Sequence, residues 1–193
     1  FNNFYKITPS VFDIWMSLLK KNKESVLWIP KGNPTIVQNL KNEIATRNIE
    51  QKRIIFAPHI PELSDHLARL DLADLFLDTF PYNAHVTCSD ALWSGLPVIT
   101  KIGSSFSSRV AASMLHAIGL PELITKTENE YEELALYLSK NKNYLNKIKN
   151  KLKINRFETS LFDTKKYVKN IENAYLKIYN RHIKNLSPEN IQV

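Results

Sequence analysis

Apolar and polar positions along the chain follow two rhythms, one of helical spacing and one of strand length. After Thr8-Pro9, a capping threonine with proline at the first helical position, Phe12, Trp15, Leu18 and Leu19 recur at helical spacing. Residues 25–29 (SVLWI) then form a short apolar run ended by Pro30-Lys31-Gly32, the length and punctuation of a strand. Residues 34–47 predict a helix and residues 53–57 (RIIFA) the next strand, and Pro61-Glu62-Leu63-Ser64 introduces a short helix through Leu70. Residues 1–7 read as the exit of a strand. Beyond Ile124 the strand-like runs give out. Residues 128–138, 141–154 and 164–183 predict helices, and a loose tail is expected from Asn185.

The stretch over residues 75–124 organises the rest. Phe76, Leu77 and Phe80 fit a short buried strand, which Pro81-Tyr82-Asn83 ends. A helix opens near His85 to Thr87 and carries Ala91, Leu92 and Trp93. It stops at Gly95, the residue type that best tolerates the left-handed backbone of a helix end. Residues 97–100 form a second strand, residues 107–119 a second helix, and a further strand reaches Ile124. Strand and helix alternate up to that point. The pattern predicts an α/β protein, a Rossmann-like parallel sheet with helices on both faces, ending in a run of helices over about 128–184. No repeat or linker interrupts it, so one domain over residues 1–193 is expected.

In open α/β sheets, ligands sit beyond the carboxyl ends of the strands, which places residues 83–90 at such a site. A helix N-terminus presents unpaired backbone N–H groups and about half a positive charge, a ready seat for phosphate. Thr87 adds a hydroxyl there. Asp90 falls three residues later on the same helix face, where an acid suits sugar hydroxyls rather than phosphate. The plainer reading is that Thr87 caps the helix and Asp90 answers its dipole. On these residues alone both readings stand.

Composition narrows the partners. A hydrophobic fraction of 44% and a charged fraction of 23% are ordinary for a globular domain of 193 residues. The net charge of +7 comes from lysines, many of them between Lys140 and Lys153 or after Lys165. No aromatic-basic motif accompanies them, so solvated helix faces are expected rather than a nucleic-acid partner. The lone cysteine, Cys88, excludes an intrachain disulfide and fits a reducing compartment. With no apolar run of membrane-spanning length and no signal sequence, a cytoplasmic protein without a membrane partner is expected. The chain opens Phe-Asn-Asn in mid-pattern, as a piece of something longer would.

Four glycines leave no G-x-G-x-x-G and no P-loop, and there is no Asp-x-Asp. Cys88 and His85 are two possible ligands, too few for a zinc site, so no metal is expected. Cys88 reads as a small packed residue rather than a nucleophile. His116 reads as structural, and His59, after a strand end, as within reach of the cleft with nothing to select it.

Several stretches taken in order resemble the O-linked N-acetylglucosamine transferase family. They are FNNFYKI, SVLW, RIIFAP, LADLFLDT, the N-x-H-x-T-x-x-D run at residues 83–90, ALWSGLPVIT, and SSRVAASML followed by GLPELI. The resemblance runs from Phe1 to about Tyr179. It implies the C-terminal, nucleotide-sugar-binding half of a two-lobed GT-B glycosyltransferase, with an N-terminal lobe and tetratricopeptide repeats elsewhere in the polypeptide. The implied activity is inverting, metal-independent transfer of N-acetylglucosamine from UDP-GlcNAc to serine or threonine of a protein acceptor. It needs no cofactor beyond the UDP-sugar donor.

The resemblance also implies roles. Lys6 stands where the family's lysine grips the diphosphate and supports its departure, the catalytic assignment here. Asn3 replaces a glutamine near the phosphates. His66 and Arg69 match the pair set against the uracil, and they lie three apart on one helix face. His85 and Thr87 match the phosphate loop, and Asp90 the ribose ligand. Val86 replaces a threonine and keeps only its backbone N–H for the donor. Leu63 stands in place of a lysine and Cys88 of a glycine. Two other readings stay open: a related transferase using another UDP- or GDP-sugar with an asparagine, lipid or polysaccharide acceptor, and a non-catalytic binding module. The residues name no general base, and the isolated chain is expected to transfer no sugar.

Overall fold

The computed structural model describes residues 2–192. Helix α1 (Pro9–Lys21) opens as its sequence dictates: the Thr8 hydroxyl oxygen accepts the Val11 amide at 3.3 Å, and Val11, Trp15, Leu18 and Leu19 turn inward. Strand β1 (Leu27–Pro30) leads to α2 (Pro34–Thr46), capped by the Asn33 side chain, and then to β2 (Ile54–Ala57). Next come α3 (Leu63–Leu70), β3 (Phe76–Leu77), α4 (Val86–Trp93) and β4 (Val98–Lys101). After α5 (Val110–Ala117) and β5 (Ile124–Thr125) the chain is helical: α6 (Glu128–Lys140), α7 (Lys142–Glu158) and α8 (Thr164–Ile183).

Every strand pair is parallel, as the alternation of strand and helix requires. Among the described residues the strands make two ladders: β1 with β2, Leu27 opposite Ile54, and β3-β4-β5, with Phe76 opposite Val98 and Thr100 opposite Ile124. Helices α4, α5 and α6 all pack on β4. Leu92, Ile99, Leu115, Leu123, Leu138 and Leu152 are wholly buried in the core between them.

Three local expectations need correction. The opening segment is not a strand: Phe4–Lys6 forms a 3-10 turn, closed by the Lys6 amide on the Asn3 carbonyl at 3.0 Å, and Phe1 lies outside the described residues. The backbone bonds are made locally and the Lys6 side chain turns inward. Strand β3 stops after Leu77, and Phe80 is buried beyond it, its ring edge-on to Tyr131 at 5.3 Å. The helix expected from residue 107 starts as a separate 3-10 turn, Phe106–Ser108, with α5 beginning only at Val110.

Gly95 closes α4 with φ +87°, and a Cβ there would meet no atom within 4 Å. Only backbone strain opposes substitution, so Gly95→Ala is expected to cost about 1 kcal/mol. Urea unfolding measures that. Helix α8 is a different kind of element. It buries none of its residues, and Tyr167, Tyr175, Leu176, Tyr179 and Ile183 stand exposed along it.

Candidate functional site

The loop between β3 and α4 is tied down from several sides. Asp78, just past β3, is fully buried. Its Oδ1 accepts the backbone N–H of Thr79 at 2.8 Å and of Ala84 at 2.6 Å, and its Oδ2 accepts the Thr100 hydroxyl at 2.6 Å. The Asn2 amide nitrogen donates to the same Oδ1 at 3.3 Å and to Thr79 Oγ1 at 2.9 Å. Burial pushes the Asp78 carboxyl up to about 7, against the opposing pull of the Thr100, Ala84, Thr79 and Asn2 hydrogen bonds.

Helix α4 opens directly from this loop. The amides of Cys88 and Ser89 reach the His85 carbonyl at 3.0 and 3.1 Å. Those of Val86 and Thr87, the two residues just before them, have no hydrogen-bond partner among the described residues. Lys6 comes to the loop from the opposite direction. It is only 8% exposed, and its ammonium donates to the Asn83 carbonyl at 2.8 Å and sits 4.1 Å from the centre of the Tyr82 ring. No carboxylate pairs with it among the described residues. A buried cation held by a neutral carbonyl and a ring face is electrostatically suited to an anion.

An aromatic row flanks the ammonium: Tyr5 to Tyr82 at 6.0 Å between centroids, Tyr82 to His85 at 5.2 Å, and His85 to Phe106 at 6.1 Å. His85 also has Nε2 at 3.4 Å from the Ser107 carbonyl. Cys88 lies behind this surface, fully buried. Burial and then the charge of Asp78 raise its thiol well above the usual value, which fits a packed residue rather than a nucleophile.

A cleft of about 340 Å³ opens where β1 and β2 end, between Pro30, Ala57 and the start of α3. Asn3, Leu63, His66 and Arg69 line it, and so does Asn2. The Arg69 guanidinium donates to the Pro58 carbonyl at 2.6 Å and lies 2.9 Å from His66 Nδ1. A guanidinium only donates, so Nδ1 is the acceptor and Nε2 carries the ring proton. That nitrogen is 3.9 Å from Asp90 Oδ2. Burial, then the Arg69 charge, lowers the His66 pKa, while Asp90 opposes the shift; burial raises Asp90, and His66 opposes that.

The sequence-selected residues thus fall into two groups. Asn3, His66 and Arg69 share the cleft. Lys6, His85, Val86 and Thr87 gather at the opening of α4, with Val86 exposed. Asp90 stands between them, within ion-pair distance of His66. Thr87 differs from the simple phosphate-donor picture, because its hydroxyl donates to Asn2 Oδ1 at 2.9 Å. It must turn from Asn2 to serve an anion. Sequence reasoning missed Asn2 and Asp78 altogether. A carboxylate closing the apolar run LFLD was the signal for the second; nothing local marked the first.

Fold and site together define the class: a Rossmann-like lobe with a cleft and an anion-suited helix opening at the carboxyl ends of its parallel strands. The chain belongs to glycosyl transferase family 41, whose family profile matches residues 1–171. It is 34% identical over 182 residues to the UDP-N-acetylglucosamine–peptide N-acetylglucosaminyltransferase of Caenorhabditis elegans, covering 94% of this chain and 16% of that protein. It is also 34% identical over 194 residues to the probable enzyme of that name, SEC, from Arabidopsis thaliana, covering all of this chain and 20% of the relative. Among solved structures, a mutant O-GlcNAc transferase from Thermobaculum terrenum superimposes with TM-score 0.87 at 28% identity, over 93% of this chain and 35% of that one. The chain therefore spans 16% to 20% of the length of these two curated relatives.

Proposed function

We propose that this chain is the donor-binding lobe of an inverting, metal-independent glycosyltransferase that moves N-acetylglucosamine from UDP-GlcNAc to serine or threonine of a protein acceptor. The observation that carries this reading is the buried ammonium of Lys6, without an acid partner among the described residues, beside the unpartnered opening amides of α4. Family membership and the printed activity of the relatives support it.

In this reading the uracil lies in the cleft against His66 and Arg69, with Asn3 at its rim and Asp90 taking the ribose hydroxyls. The diphosphate sits over the amides of Val86 and Thr87, next to His85. As the glycosidic bond breaks, negative charge grows on the departing diphosphate. Lys6 and the α4 amides are already oriented to receive it, so little reorganisation is required at that moment. UDP-GlcNAc is the donor substrate and no separate cofactor takes part. The chain acts as one lobe; the partner lobe, and tetratricopeptide repeats with it, belong to the same polypeptide. The lone buried cysteine, and the lack of any helix long and apolar enough to cross a membrane among the described residues, accord with a cytoplasmic enzyme.

Calorimetric titration of the full-length polypeptide with UDP is the test. Saturable heat is expected from wild type and much weaker heat from Lys6→Ala. A folded wild type that gives no heat at millimolar UDP ends the reading.

A further inference from the structure

Asp78 is a buried carboxylate to which the donor-site reading gives no task, yet its bonds lead to both Lys6 and Thr87 at the opening of α4. Both ends of the loop from Thr79 to Ala84 converge on its Oδ1, the Thr79 amide at 2.8 Å and the Ala84 amide at 2.6 Å. Asn83, whose carbonyl holds the Lys6 ammonium at 2.8 Å, is the neighbour of Ala84 within that loop. On the other side Asn2 bonds Asp78 through its nitrogen and accepts the Thr87 hydroxyl through its oxygen. Thr79 adds a brace, its hydroxyl donating to the Tyr82 carbonyl at 2.8 Å. The Tyr131 hydroxyl, from α6, holds the Asp78 carbonyl at 2.9 Å.

We propose that Asp78 is the positioning residue of the donor site: by gathering Ala84 and Asn2 on one oxygen, it sets the Lys6 ammonium and the Thr87 hydroxyl relative to the first amides of α4. The proposal rests on the reading of that site as the seat of a nucleoside diphosphate. Two arms leave the same carboxylate, one through Ala84 and Asn83 to Lys6, the other through Asn2 to Thr87. A neutral side chain at residue 78 would be less costly to bury. It would also accept these donors less strongly, because hydrogen bonds to an ionised acceptor are shorter and stronger. Burial lifts the carboxyl to about 7, a cost to folding that a purely structural filler would avoid.

The test uses the full-length polypeptide, with UDP as probe, in wild type, Asp78→Asn, Asn2→Ala and the double variant, each confirmed folded by circular dichroism. Each single change is expected to weaken UDP binding by about tenfold. The double variant is expected to bind no more weakly than Asp78→Asn, because the arm that Asn2→Ala breaks is already released when the Asp78 carboxylate is lost. A residue that merely supported the fold would give independent, additive losses. Undiminished affinity in both folded singles, or strict additivity, overturns the proposal. Should Asp78→Asn fail to fold, Asn2→Ala decides alone, since it leaves the Thr79, Ala84 and Thr100 bonds in place. A wild type that ignores UDP ends the donor reading and this proposal with it, whereas wild-type binding with unaffected variants ends only this proposal.

Discussion

Replacing Lys6 by alanine in the full-length polypeptide is expected to lower kcat by about 10²- to 10³-fold, the usual loss when one preorganised donor to developing charge is removed. The Nζ of Lys6 is fixed at 2.8 Å from Asn83 O, 4.1 Å from the centre of the Tyr82 ring and out of bulk water, so its charge is poorly screened. In the proposed transfer, charge on the diphosphate grows as the sugar leaves, and the kcat effect should therefore exceed the effect on KM. Lys6→Arg is not expected to rescue, since the planar guanidinium is too large for a position bounded by one carbonyl and one ring. Steady-state kinetics with UDP-GlcNAc checks this. Wild-type turnover by Lys6→Ala would remove the lysine from the chemistry.

The second large effect concerns pH and stability. Asp78 titrates at about 7 in the folded protein against 3.8 for an unperturbed aspartate, so between those values the folded form holds a proton that the unfolded form has released. Stability contributed by this group is thus fully present below about pH 4, declines as pH rises, and is gone above about 7. Across that window the loss is expected to be about 4 kcal/mol, at roughly 1.36 kcal/mol for each pH unit. Asp78→Asn lacks this dependence. Thermal unfolding across that same pH range should show the variant gaining on wild type as pH rises, even while it binds UDP less well. Parallel curves for the two proteins would contradict the assignment.

Much of the fold was legible because its signals are local. Asp163 caps α8 by accepting the Lys166 amide at 2.9 Å, and the helix runs over 164–183 as its apolar spacing predicts. Thr8, Asn33 and Thr127 mark helix starts in the same way. The strand expected over residues 1–7 was misread because the structure from Asn2 onward is set by distant groups such as Asn83 and Thr79. The site divides along the same line. His66 and Arg69 were also selected through the resemblance, and helix geometry added only that, three apart on α3, they share one face. Lys6 was singled out only through resemblance, since an isolated lysine gives no sign that it is buried. Asn2 and Asp78 are 76 residues apart in sequence, and no window along the chain shows them as partners.

Helix α8 has a consequence for the lifetime of the native chain. Twenty residues long and with none of them buried, it gains little from tertiary packing, which supplies most of the stability of helices in proteins. Its amides should exchange with solvent hydrogen long before those of α5 or β4, and a protease should nick it while the strands beneath stay whole.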